Sequence, residues 1–225
     1  MFADLFDIFF PFGFIVVILV VVGLVIGLSI YFDRKRTEAM QAAADELGLP
    51  FFPQGDQSLV DELGYFDLFS QGRSRKIKNM IHGETDAVDI GIFDYQYTTG
   101  SGKNSHTYKQ SVICFNSADL NLPKFSMRQE GFFDKIGGML GFQDIDFDTH
   151  PTFSAAYVLK GENEELVRQT FRAEILEYFE NVNGVNVEGG ATRLIYFRAG
   201  RTIRPEDVRS FMSEGFAVYS LFSAL

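Results

Sequence analysis

The sequence predicts an α+β protein: one N-terminal transmembrane helix followed by a cytoplasmic domain of antiparallel β-hairpins and packed helices. Three observations carry this. Residues 12–32 read FGFIVVILVVVGLVIGLSIYF without a charge, and at 1.5 Å per residue such a run crosses the roughly 30 Å hydrocarbon core of a bilayer. Alternating apolar segments recur in pairs around turn-rich stretches, as the strands of hairpins do. Helical spacing comes between and after these pairs rather than after every strand, which separates the pattern from a parallel βαβ repeat.

The direction of the span follows from its flanks. Arg34, Lys35 and Arg36 stand directly after it, whereas Asp4 and Asp7 precede it without a Lys or Arg. The positive-inside rule then sets the C-terminal side in the cytoplasm and the N-terminus outside, and the basic triplet is positioned to meet anionic headgroups. A cleaved signal peptide is disfavoured, because the basic n-region is missing and the apolar run is too long. Gly23 and Gly27 form a G-x-x-x-G pair that lets a second helix approach closely. The span carries no His, Cys, Met or charged side chain, so it offers no haem ligand and no proton relay. Residues 1–11 space Phe2, Leu5, Phe6 and Phe9 as an interfacial helix would, with Pro11 at a bend; simple extension of the span is the alternative.

Past the membrane, residues 37–47 prolong the helix until Gly48 and Pro50 stop it. A short helix is expected over 56–63, and strands over 76–81, 87–97 and 107–116, the last two paired. Phe132, Phe133, Ile136 and Leu140 suggest an amphipathic helix, and residues 153–160 a strand. The clearest helix is 162–180, with Val167, Phe171, Ile175 and Phe179 four residues apart. A hairpin over 185–198 turning at Gly189-Gly190, and a helix opened by Pro205, complete the reading. No repeat or long linker divides residues 49–225, which read as one cytoplasmic domain beyond a juxtamembrane stretch at 33–48.

Composition excludes several functions. Twenty basic against thirty acidic side chains give a net charge of −10, which opposes nucleic acid as a partner. A single cysteine excludes an internal disulfide framework and fits a reducing compartment. Thr99, Gly100, Ser101, Gly102 and Lys103 evoke a phosphate cradle. The P-loop pattern, however, would need Gly where Tyr97 stands and Ser or Thr where Asn104 stands. A weak anion site built from loop amides and Lys103 is what remains.

Asp144, Asp146, Asp148 and His150 alternate with Ile145 and Phe147 and offer a weak metal set, though an EF-hand would need Gly at Thr149 and Glu at Ala155. Cys114, in an apolar strand, reads as core, although a Cys/His pair with His82 or His106 is chemically conceivable. Arg73, Arg75, Lys76 and Lys78 form a basic run suited either to headgroups or to guarding an edge strand. No cofactor motif and no catalytic residue is found.

The stretch Ile92-Phe93-Asp94-Tyr95, followed by Tyr97-Thr98-Thr99-Gly100-Ser101-Gly102-Lys103 and later by Asp144-Ile145-Asp146-Phe147, resembles a group of bacterial membrane-anchored proteins. They share an IFDYxYTTGSGK hairpin and a downstream DIDF over roughly residues 45–220. The resemblance implies one recurring module and no activity, so no functional residue carries over. The expected function is that of a non-enzymatic, single-pass protein of the bacterial inner membrane. It would act as an accessory or scaffolding subunit of a larger assembly, possible hosts being respiratory or photosynthetic complexes. Its partners would be the lipid bilayer and other membrane-protein subunits. The alternative is a membrane-tethered sensor or enzyme that uses the 98–103 loop together with the 144–150 segment.

Overall fold

The computed structural model describes residues 2–130 and 143–223, with only the backbone described over 2–14. The amphipathic helix expected over 132–140 lies outside the described residues. Two compact units are present, Met1–Met40 and Gln41–Leu225.

Helix α1 (Phe2–Leu47) is continuous through Pro11, so the N-terminal residues extend the span and the expected bend is absent. Within Ile15–Leu47 an 18-residue window reaches a mean hydropathy of 3.0, and none of it is buried. A core helix of a soluble protein would bury such a stripe; this one presents it on all sides.

The second unit is α+β, built on one eight-stranded antiparallel sheet in the order β1-β2-β3-β4-β8-β7-β5-β6. Its strands are β1 (Phe51–Phe52), β2 (Arg73–Glu84), β3 (Asp89–Thr99), β4 (His106–Asn116), β5 (Leu122–Gln129), β6 (Tyr157–Gly161), β7 (Asn186–Ala191) and β8 (Arg193–Phe197). The central β3–β4 hairpin pairs without interruption from Asp89↔Asn116 to Thr99↔His106. It is the hairpin the alternation predicts.

The outer ends of β2 and β4 are exposed, and each face of the sheet is covered over its central part. On one, Ile77, Phe93, Tyr95, Val112, Cys114, Ile195 and Phe197 pack beneath the short helices α2 (Ser58–Glu62) and α3 (Asp67–Ser70) through Val60, Leu63, Phe66 and Phe69. On the other, Phe115 meets Phe216 at 5.2 Å and Tyr219 at 5.0 Å, and Phe125 stacks on Phe222 at 5.4 Å. Those partners stand on α7 (Val208–Ser223). Phe171 wedges against Phe125 at 5.0 Å and Phe222 at 5.6 Å. Among the described residues, eleven of the chain's twenty-five phenylalanines are buried in this domain.

Several elements depart from expectation. The single helix over 162–180 is two, α5 (Glu164–Thr170) and α6 (Ala173–Glu180). Phe171 leaves the helical region at φ −82° and ψ 70°, which drives its ring into the aromatic layer. The strand expected over 153–160 begins as α4 (Pro151–Ala156), because Pro151 pre-sets a first helical turn; only Tyr157 onward is strand.

The turn of the last hairpin falls at Ala191-Thr192, not at Gly189-Gly190, with Ala191 at φ +51°. Both glycines lie within β7, and the reason at Gly189 is space: a Cβ there would sit 2.3 Å from Phe125 Cε1. Strands β1 and β5 and helix α3 were not foreseen. Pro205 opens a 3-10 turn (Pro205–Asp207) that leads into α7, which runs well past Met212.

Gly189→Ala is expected to destabilise the folded domain by about 1–3 kcal/mol through overpacking against Phe125. Denaturant titration of the purified chain measures it. An unchanged midpoint would mean that the Phe125 ring relaxes freely.

Candidate functional site

The α2–α3 cover is shorter than the sheet it lies on, and a groove of about 510 Å³ opens beside it. Its floor is set by the register. Gly91 on β3 lies opposite both His82 on β2 and Cys114 on β4, so the missing side chain at 91 leaves a trough. Met80 Cε would come within 3.1 Å of a Cβ placed there. Phe52, Leu59, Met80 and Cys114 make the lining apolar, while Asp56, Glu62, His82, Asp89 and Arg193 supply the rim. Two ion pairs belong to that rim: Arg193 Nη2–Glu62 Oε2 at 2.7 Å and His82 Nε2–Asp89 Oδ1 at 2.7 Å. Size and lining are those of a small-molecule cleft.

Cys114 and His82 share this groove, yet they do not form a nucleophile pair. The Gly91 strand separates them by two strand spacings, roughly 10 Å. Burial pushes the Cys114 thiol up to about 12, far from the thiolate a nucleophile needs. His106 stands elsewhere, edge-on to Tyr108 at the hairpin end.

Deeper on the same face lies a charge cluster that sequence reasoning missed. Arg128 on β5 is 2% exposed and Glu188 on β7 fully buried. Arg128 Nη2 donates to Glu188 Oε1 at 3.0 Å, its Nε donates to Ser126 Oγ at 3.1 Å, and Asp67 Oδ2 of α3 lies 3.2 Å from Nη2. The Leu68 amide donates to both Glu188 carboxylate oxygens, at 3.2 and 3.3 Å. These contacts fasten α3 to two strands. Burial, partly offset by Arg128, pushes the Glu188 carboxyl up to about 7.

Among the described residues, the buried side-chain polar atoms that lack a hydrogen-bond partner sit on Asp67, Gln71, Tyr95, Gln110 and Asn186. Register puts Tyr95, Gln110 and Asn186 on the same sheet face as Glu188. Polar strain is therefore concentrated beneath α3. The only hint in the sequence is that Arg128 and Glu188 occupy positions in apolar alternation.

The sequence-predicted residues are dispersed. Gly23 and Gly27 lie on α1, where a Cβ at either would meet nothing within 4 Å. Arg34 and Lys35 are exposed on the same helix and Arg36 is half-buried. Thr99–Lys103 form the β3–β4 tip, with Gly100 at φ +70° and Gly102 at φ +54°. No helix long enough to present amides to a phosphate follows the tip; a 3-10 turn leads into β4. Arg73 reaches the tip, its Nη1 donating to Gly100 O and its Nη2 to Ser105 Oγ.

Asp144 is turned to backbone bonding: its Oδ1 accepts from Leu159 N at 2.8 Å, and burial raises its carboxyl above the usual range. Asp146 gives its carbonyl to Arg168, and His150 Nδ1 lies 3.0 Å from Thr149 Oγ1. Among the described residues no three His, Cys, Asp or Glu side chains converge as a metal site. The Asp144 segment follows β6 through the Ile145 N to Leu159 O bond, four strands away from β4 in the sheet. The tip and the acidic segment therefore do not compose one site.

Two outcomes follow from these charges. Removing Arg128 by Arg128→Ala strands two acids in the interior, at a cost of about 3–5 kcal/mol at pH 8. Glu188 holds a proton in the folded chain that the unfolded chain has lost between about pH 4.5 and 7. Its contribution to stability is complete below that window and gone above it. Urea melts at pH 5 and pH 8 should accordingly show a smaller Arg128→Ala penalty at pH 5. For the groove, iodoacetamide at pH 8 should alkylate Cys114 at least a hundredfold more slowly in the native chain than in urea. Comparable rates would mean that the groove opens to its floor.

No family model matches the chain, and no curated protein matches it. Among solved structures it is similar in fold to the crystal structure of the mycobacterial trehalose monomycolate transport factor A, TtfA. The TM-score is 0.60 at 10% identity, over 85% of this chain and 94% of that one.

Proposed function

We propose that this chain is a single-pass membrane protein whose α+β domain serves as a non-enzymatic accessory subunit of a membrane assembly. The observation that carries the reading is α1, whose apolar window is long enough to span a bilayer and is wholly unburied. Orientation rests on Arg34, Lys35 and Arg36, which favour a cytoplasmic domain and an outside N-terminus at a bacterial inner membrane.

The fold neighbour is a transport factor, which supports an accessory role and draws a transport assembly ahead of a respiratory or photosynthetic host. Gly23 and Gly27 offer a bare helix face to a partner's span.

Protease added to intact spheroplasts should leave the domain whole and digest it once the membrane is opened. Crosslinking before mild-detergent extraction should shift the chain into a complex with other membrane subunits, and Gly23→Ile with Gly27→Ile should weaken that complex at least tenfold. Digestion in intact spheroplasts would overturn the orientation, and a lone monomer after crosslinking would overturn the accessory role.

A further inference from the structure

The charge of this acidic protein is unevenly placed. Residues 72–79 and 94–111, the outer half of the β2–β3–β4 sheet, hold six of the twenty basic side chains and one of the thirty acidic ones. The six are Arg73, Arg75, Lys76, Lys78, Lys103 and Lys109. All but the half-buried Lys78 are exposed.

Register sets Lys76 opposite Gln96 and Gln96 opposite Lys109, so two lysines share one face about 10 Å apart. Arg73 and Arg75 spend their hydrogen bonds on neutral groups: Gly100 O and Ser105 Oγ for the first, Phe69 O for the second. Their positive charge is thus held in place, and among the described residues no carboxylate is bonded to either. The single acid, Asp94, is engaged by Asn79 Nδ2 at 2.9 Å and Ser111 Oγ at 2.8 Å.

We infer that this basic outer arm of the sheet docks on the anionic lipid surface of the membrane in which α1 is anchored. The occupant is argued from three features. Three cavities among the described residues are lined by none of these six side chains, and the arm presents its charges as a spread field along exposed strands. Such a field suits fluid headgroups, where each Lys or Arg near the surface contributes about 1 kcal/mol. The anchor also makes the encounter intramolecular, so a weak attraction suffices at the high effective concentration of a tether. The strand geometry is compatible, because β1 pairs with β2 only at Phe51↔Ile81 and Phe52↔Met80. Gln57 caps the edge at Ile77, its Nε2 donating to Ile77 O at 2.7 Å and its Oε1 accepting from Ile77 N. The exposed residues 73–76 before it lie beyond the reach of β1, and their charges also keep other strands away.

The inference rests on the membrane anchoring proposed above, and the two fail differently. The full chain carrying Ser101→Cys, labelled at the tip with a fluorophore, is reconstituted in nanodiscs of phosphatidylcholine, with or without about a third phosphatidylglycerol. A small fraction of headgroup-spin-labelled lipid serves as quencher. Failure to enter nanodiscs would defeat the anchor.

With the anchor in place, quenching in anionic discs should be at least twice that in neutral discs at 0.1 M NaCl. It should return to the neutral value at 1 M, where the screening length falls from about 10 to 3 Å. Lys76→Glu with Lys103→Glu should abolish the difference, with an unchanged melting temperature showing that the fold is intact. Equal quenching in both lipids, or an increment that survives 1 M salt or the charge reversal, would overturn the inference and leave the arm to an acidic protein partner.

Discussion

A guanidinium held in the interior between two carboxylates constrains everything on one side of this domain. Helix α3 is four residues long, too short to stay helical by itself. It is held because Arg128 and Glu188, from neighbouring strands, reach Asp67 and the Leu68 amide. An apolar replacement could be as stable; what the ions add is a fixed location for α3 on the sheet face. Helix α2 is held by contacts of its own, Glu62 to Arg193 and Gln57 to Ile77 O, and the groove over Gly91 and Cys114 lies beside this cover.

The other side of the sheet solves the same burial problem by different means. There the stacking of Phe115, Phe125, Phe153 and Phe171 with Tyr219 and Phe222 fills a thick layer beneath long α7, with the chain kink at Phe171 as part of the packing. Polar groups orphaned from hydrogen bonds gather on the α3 side. The division gives the domain an aromatic, tightly filled half and a polar half with room in it.

Much of this was readable from residues alone. The α+β class, the apolar span, the β3–β4 hairpin and the α7 start follow from periodicity and from Gly and Pro placement, which are local signals. What escaped was decided at long range. Strand β5 hid because Pro123 and Arg128 break its alternation, and Arg128 is tolerated only because Glu188 lies sixty residues on. Phe171 reads as a helical repeat until the rings that receive it are in place, and Gly189 reads as a turn until Phe125 covers it. The groove was invisible for the same reason: Cys114, His82 and Arg193 come from three strands whose adjacency no spacing encodes.

Strand β8 fills the gap between β4 and β7, and that arrangement bears on biogenesis. The apolar run Val112–Phe115 must wait for Leu194–Phe197, whose synthesis trails by some eighty residues, roughly 4–16 s at about 5–20 residues per second. During that interval the nascent chain exposes a sticky half-sheet while its first helix has already emerged. Early capture of that helix by the insertion machinery would keep sibling chains apart until the closing strand arrives.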